Sequence, residues 1–207
     1  MIKRVPFEHG VIESIEVATS YDQMAKKMMV GSYRSMAYVV TKQLGVTGGK
    51  ALDVGMGSGL LAIELAQRLP DLEVVGLDLG EAMLTLAKEN SERSGVSDRV
   101  AFEKGNAEDM PFDDNAFDLV VSNATLHLVK DPVKMFDEIH RVLKPDGKFL
   151  IASSRRSWLG LLPGWEFFTD IRASYTPKEA RDLLSQSKLQ NWKVKDYFFW
   201  LSIFSEE

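Results

Sequence analysis

The stretch Asp53-Val54-Gly55-Met56-Gly57-Ser58-Gly59 carries the densest run of chemically meaningful residues in the chain. Glycines let a backbone turn tightly and let a ligand come close to it. The helix-like run Leu60 to Ala66 follows directly, and a helix N-terminus attracts anionic groups. This pattern points to a nucleotide-like ligand. The dinucleotide fingerprint, however, is Gly-x-Gly-x-x-Gly. Here the spacing is Gly-x-Gly-x-Gly, and Leu60 fills the slot of the third fingerprint glycine. Asp53 also places an acid just ahead of the loop, which suits a ligand with a cationic group and suits a pyrophosphate poorly.

Three further positions belong to the same chemistry. Asp78 lies 25 residues after Asp53. A carboxylate there can accept hydrogen bonds from both ribose hydroxyls, or it can cap a helix starting near Gly80. In Gly105-Asn106-Ala107, the Asn106 side-chain oxygen and the Ala107 N–H have the polarity to read a purine edge. Leu79 and Met83 offer apolar surface, either to the ring faces or to the core. In Ser122-Asn123-Ala124-Thr125-Leu126-His127, Asn123 can hold the polar end of the ligand or the substrate. His127 is either a base or donor, or a structural histidine.

The elements that must position these residues are visible in the hydropathy pattern. Residues 11–44 read as helical, with Tyr21, Met24, Met28 and Met29 and then Met36, Val39, Val40 and Leu44 at helical spacing, and with Gly31 as the break. Short apolar strands are expected at 50–54, 73–78, 100–105, 117–122 and 148–153. Helices are expected at 60–66, 81–94 and 132–143, the last stopped by Lys144-Pro145-Asp146-Gly147. Such alternation gives a parallel sheet covered on both faces. Its ligands sit beyond the carboxyl ends of the strands, which is where all four motifs fall. Residues 158–175 are aromatic-rich. Thr176-Pro177-Lys178-Glu179 opens a helix to about Lys188. Residues 192–197 and 199–204 read as two more strands with no Asn-Gly or Asp-Gly turn between them.

Composition bounds the rest. A chain of 207 residues, 45% hydrophobic and 27% charged, suits one domain with a sizeable core. With no cysteine, disulfides, thiolate metal sites and cysteine nucleophiles are excluded, and no metal site is expected. The net charge of −5 is uneven: residues 1–50 carry +3, residues 51–150 carry −9 and residues 151–207 carry +1. An acidic centre repels a phosphate backbone, so nucleic acid is not an expected partner. No long uncharged apolar stretch predicts a membrane span. The start Met1-Ile2-Lys3-Arg4-Val5-Pro6 has no signal-peptide core, so a cytoplasmic location is expected.

Taken in order, Leu52–Gly59, Gly76-Leu77-Asp78, Gly105–Phe112, Phe117–Asn123 and Leu143–Lys148 make the chain resemble a class I S-adenosylmethionine-dependent methyltransferase over residues 20–153. The branch it is similar to includes the ubiquinone/menaquinone biosynthesis methyltransferases. The resemblance implies an α/β, Rossmann-like, doubly wound sheet of seven mostly parallel strands with an antiparallel last strand. The single domain would divide into an N-terminal helical lid (1–48), a cofactor core (49–153) and a substrate-side segment with C-terminal strands (154–207). S-adenosylmethionine is the implied cofactor. Gly55, Met56, Gly57 and Gly59 would approach its methionine part and ribose. Asp53 would support the α-amino group, and Asp78 the ribose hydroxyls. Asn106 and Ala107 would hold the adenine, with Ser122 and Asn123 on the methyl-donor side. The family usually has Asp where this chain has Asn106, which shifts part of the adenine contact to Glu108. The Tyr21-Asp22 region would close over the cofactor.

Direct methyl transfer asks mainly for proximity and orientation. His127 is the first candidate base and Tyr21 the second. Trp158, Trp165, Phe167 and Phe168 suggest an apolar or flat small-molecule acceptor, or else they cover the sheet. The competing readings are a non-catalytic S-adenosylmethionine-binding or interaction protein and a nicotinamide-dependent oxidoreductase. The oligomeric state is not encoded in any motif.

Overall fold

The computed structural model describes residues 3–5, 11–157 and 169–206, with the backbone alone for residues 169 and 170. Two helices open it: α1 (Ile15–Met28) and α2 (Val30–Tyr38), the latter running into a π-helical turn, Val39–Gln43. The break falls at Met29 rather than at Gly31, which sits inside α2. Gly31 has open space around it, so nothing in the packing requires a turn there. The inward face of α1 is Ala18, Asp22 and Ala25, whereas Met28 is exposed. The methionine spacing thus marked the helix correctly and its buried face only in part.

The sheet follows as β1 (Gly48–Val54), β2 (Asp71–Asp78), β3 (Val100–Lys104), β4 (Phe117–Asn123), β5 (Leu143–Ser154), β6 (Trp192–Asp196) and β7 (Trp200–Ser205). Its order is β3-β2-β1-β4-β5-β7-β6. Neighbours from β3 to β5 pair in parallel, while β7 runs antiparallel to both β5 and β6. This is the expected doubly wound α/β, Rossmann-like sheet. The order reverses between β1 and β4, so the switch-point crevice opens beyond Val54 and Asn123. β1 and β4 are interior strands whose buried stretches, Ala51–Val54 and Leu119–Ser122, carry the apolar signal.

The helices between the strands are α3 (Leu60–Arg68), α4 (Glu81–Arg93), α5 (Pro132–Val142), α6 (Thr169–Ala173) and α7 (Pro177–Leu184). One core cluster joins α2, α3 and α4 to one face of the sheet through Met36, Leu65, Leu84 and Leu119. The other joins α5 and α7 to the opposite face through Phe136, Phe149 and Leu184. The Asp131 side chain accepts from the Val133 and Lys134 amides at the start of α5. At α7 the predicted capping box is present, with Glu179 N–H donating to Thr176 Oγ1 at 3.3 Å and Thr176 N–H to Glu179 Oε2 at 2.9 Å.

Two local expectations shift. Lys144-Pro145-Asp146-Gly147 does not make a loop before β5 but a bulge within it. Phe117 pairs with Leu143, and the register resumes at Leu119 with Lys148. Gly147 folds tightly onto Leu143, whose Cγ would lie 2.7 Å from an added Cβ. The hairpin between β6 and β7 closes through Tyr197-Phe198-Phe199, with Tyr197 N–H donating to Trp200 O at 2.8 Å. Trp158, Trp165, Phe167 and Phe168 lie outside the described residues.

Candidate active site

The β1–α3 loop builds the crevice. Gly55, Gly57 and Gly59 have φ of 69°, 54° and 80°, a region L side chains rarely enter. Gly55 also has no room, because an added Cβ would meet Thr125 Oγ1 at 2.2 Å. Gly57 stands differently: the nearest atom to its added Cβ is Tyr21 Cε1 at 3.9 Å. Its outer surface therefore faces a gap between the loop and α1. That gap is a narrow cleft of about 20 Å³, lined by Tyr21, Tyr33, Asp53, Gly57, Leu61 and Asn123 among others.

Two acceptors in this cleft lack partners. Asp53 Oδ2 and Asn123 Oδ1 are buried with no hydrogen bond. They come from adjacent strands, β1 and β4, and end at the crevice. Burial raises the Asp53 carboxyl to about 7, helped by the nearby Asp78 charge and opposed by the Ala62 amide at the third residue of α3. Buried acceptors without donors are costly. Two of them converging on one cleft call for a ligand that brings donors, above all an ammonium.

Asp78 is built in the opposite sense. Its Oδ2 accepts from Gly57 N–H at 2.8 Å and its Oδ1 from Gly80 N–H at 2.9 Å. It thus ties the glycine loop to the entry of α4. Burial raises its carboxyl, and the Gly80, Gly57 and Leu79 amides counter that rise. The capping role and a role toward ribose coexist, since a carboxylate offers about four acceptor sites. Leu79 is 44% exposed beside it, whereas Met83 is 4% exposed and packs with Ala18 and Leu86 between α1 and α4. Met56 lines the cleft, while its side chain packs against Gly76, where an added Cβ would meet its Sδ at 1.9 Å. Its side chain fills the space that the missing Gly76 side chain leaves.

The remaining sequence candidates are placed as follows. Asn106 is exposed and its Oδ1 accepts from Glu108 N–H at 3.0 Å, so the side chain first stabilises its own turn. Ala107 is buried, and Glu108 Oε1 accepts from Lys130 N–H at 2.7 Å, linking this loop to the one after β4. The Ser122 hydroxyl is fully buried and donates to Val54 O at 2.8 Å, so it holds β4 to β1 from behind the cleft. His127 is 2% exposed and does not line the cleft, and its carbonyl accepts from Arg4 Nη2 at 3.4 Å. Of the two proton-handling candidates, only Tyr21 is brought to the cleft.

The sequence reading missed Tyr33, Ser58, Leu61 and Thr125. Tyr33 is 8% exposed, and burial holds its hydroxyl well above the usual phenol range, reinforced by Tyr21, Asp53 and Asp22. Nothing in its local sequence shows that α2 turns it toward β1. Thr125 was inside a quoted motif, but its contact with Gly55 crosses between strands.

Comparison with known proteins agrees with this geometry. A family described as a methyltransferase domain matches residues 46–194. The chain is 34% identical over 155 residues to a demethylmenaquinone methyltransferase of Lactobacillus johnsonii, covering 73% of this chain and 64% of that protein. It is 34% identical over 137 residues to a ubiquinone/menaquinone biosynthesis C-methyltransferase of Geobacter sp., covering 65% and 58%. The chain therefore spans about three fifths of the length of these curated relatives. A solved structure from Methanococcus maripaludis, described as an S-adenosyl-L-methionine-dependent methyltransferase, superimposes with a TM-score of 0.79 over 98% of this chain and 97% of that one. At 23% identity it shows the fold alone. The chain belongs to the methyltransferase-domain family, with the class I S-adenosylmethionine-dependent fold and a resemblance to the ubiquinone/menaquinone methyltransferases.

Proposed function

We propose that this protein methylates a small-molecule acceptor by direct in-line transfer from S-adenosylmethionine. The observation that carries the reading is the pair of unpartnered buried acceptors, Asp53 Oδ2 and Asn123 Oδ1, beside an open glycine loop at the switch point. The fit to the cofactor follows from donor chemistry. An α-ammonium supplies the hydrogen bonds that both oxygens lack and neutralises the Asp53 carboxylate. A pyrophosphate brings only acceptors and negative charge to the same place, which disfavours the nicotinamide reading. Asp78 has acceptor capacity left for a ribose, and Leu79 presents apolar surface beside it for an adenine face. Asn106 and Ala107 are assigned to the adenine edge by their place after β3.

When bound, S-adenosylmethionine supplies an already activated methyl group. The protein's own residues then bind, orient and exclude water. Among the described residues, the titratable groups lining the cleft are Asp53, Tyr21 and Tyr33. Asp53 is assigned to the ammonium and Tyr33 is held protonated by burial, so Tyr21 is the group that can pass a proton at the cleft. Catalysis then rests mostly on proximity, which is worth up to ~7–11 kcal/mol of barrier. The relatives named for demethylmenaquinone support an acceptor with a flat, quinone-type ring.

Calorimetric titration with S-adenosylhomocysteine and with NAD tests the cofactor half. Binding of the first without the second is the expected outcome, and the reverse would overturn the reading. Release of S-adenosylhomocysteine on incubation with S-adenosylmethionine and a panel of hydroquinones tests the transfer.

A further inference from the structure

A buried polar cluster that meets the cleft lining at Ser58 joins three separate parts of the chain. Asp22 on α1 is 5% exposed and Asn90 on α4 is 4% exposed. Asn90 Nδ2 donates to Asp22 Oδ1 at 2.9 Å and to Ser58 O, in the glycine loop, also at 2.9 Å. Lys26 Nζ donates to Asp22 Oδ2 at 2.6 Å and to Asn90 Oδ1 at 2.8 Å, and Arg93 Nη2 reaches the same oxygen at 3.1 Å. Burial alone would raise the Asp22 carboxyl, but bonds from Lys26, Ser58 and Asn90 outweigh it and hold the group below its ordinary range. The carboxylate is charged, and both of its oxygens have donors.

A single amide thus spans the lid helix, the helix after β2 and the loop that faces the ligand. The residue next to Asp22 is Tyr21, whose ring covers Gly57 and lines the cleft. The other contact between α1 and α4 is a patch built mainly of small or flexible side chains, Ala18 against Ala82, Met83 and Leu86. Such a patch tolerates sliding, because apolar packing is non-directional. A hydrogen-bonded amide does not. We propose that Asn90 and Asp22 are positioning residues that fix the register of α1 over the glycine loop and so place Tyr21 over the bound cofactor. The inference rests on the functional reading above for the identity of the ligand, but not for the existence of the latch.

The test uses isosteric exchanges, which leave no cavity. Asn90→Asp faces the Asp22 carboxylate with a second carboxylate and removes the donor to Ser58. The exchange pair Asn90→Asp with Asp22→Asn restores a donor and an acceptor between α1 and α4, but not the bond to Ser58. Calorimetry with S-adenosylhomocysteine should show Asn90→Asp weakened by about 10-fold or more, since a buried charge-assisted contact is lost. The double exchange should recover to within about 3-fold of wild type. Hydrogen exchange of residues 15–28 in the ligand-free protein should quicken in Asn90→Asp and slow again in the double exchange. Wild-type affinity in Asn90→Asp, or equal weakening in both variants, would overturn the proposal. If wild type binds no S-adenosylhomocysteine, the functional reading fails. The exchange pattern of α1 then decides the latch by itself, and unchanged rates overturn it.

Discussion

Asp53 and Asp78 end adjacent parallel strands, point to the same crevice and are both shifted upward by burial, yet their surroundings are opposite. Asp78 has backbone partners: the Gly57 and Gly80 amides each donate to one of its oxygens, and the loop is held to α4 through it. Asp53 leaves Oδ2 without a donor. The first carboxylate builds the loop, and the second is held available for what the loop receives. Stability and affinity should therefore separate between the end of β1 and the end of β2, although the same residue type stands at both.

The sharpest way to break this contrast is at the loop itself. Gly55→Ala demands a positive φ from alanine and a clash with Thr125, so it should cost more than ~3 kcal/mol in urea unfolding. A smaller loss would mean that the loop relaxes and the geometry of both acids is soft. Next comes Asp78→Ala, which strands two amides and should lower stability by about 2 kcal/mol. If its stability matches wild type, the building role is wrong.

Asp53→Asn should do the reverse. It should weaken S-adenosylhomocysteine binding by about 2 kcal/mol, some 30-fold, without lowering the melting temperature at pH 8. A variant that unfolds more easily but binds normally would exchange the roles of the two acids. The sign with pH follows from the raised carboxyl. A carboxyl whose folded pKa lies near 7 and whose unfolded value lies near 3.8 makes the fold bind protons more tightly, so its contribution to stability falls as pH rises through that window. Ligand affinity runs the other way. An ammonium needs the ionised form, so the dissociation constant should rise by up to about tenfold per pH unit below 7, with proton release measurable in buffers of different ionisation enthalpy. A flat profile would remove Asp53 from the ammonium.

The smallest effect is expected from His127→Gln. Because His127 lies outside the cleft lining, S-adenosylhomocysteine affinity should stay within about 2-fold of wild type, a shift below ~0.5 kcal/mol. A loss comparable to that of Asp53→Asn would return His127 to the site.

The central fold was legible because the buried and half-buried stretches of interior parallel strands read as short apolar segments, as in Leu119-Val120-Val121 of β4 and Val74-Val75 of β2. The glycine loop was legible because its spacing differs from the dinucleotide pattern at Leu60. The bulge in β5 was not, since Lys144-Pro145-Asp146-Gly147 carries the composition of a loop and only pairing with β4 keeps it in a strand. Ser122 and Met56 stand in the cofactor motifs, but the sequence does not show what their side chains touch. The structure turns one hydroxyl onto Val54 and packs the other side chain over Gly76.

The sequence by itself determined which residues stand at the carboxyl ends of the strands, because strand period and turn chemistry are local. It also determined the acid at position 53 and the conformational freedom around it. Only the tertiary structure decided which of those residues have their hydrogen bonds satisfied. That question depends on partners far away in the chain: Asn90 reaching Asp22 and Ser58, Thr125 closing on Gly55, and Gly57 and Gly80 meeting on Asp78. Satisfaction is a property of the whole set of neighbours, and it distinguishes an acid that holds the fold from one that awaits a ligand.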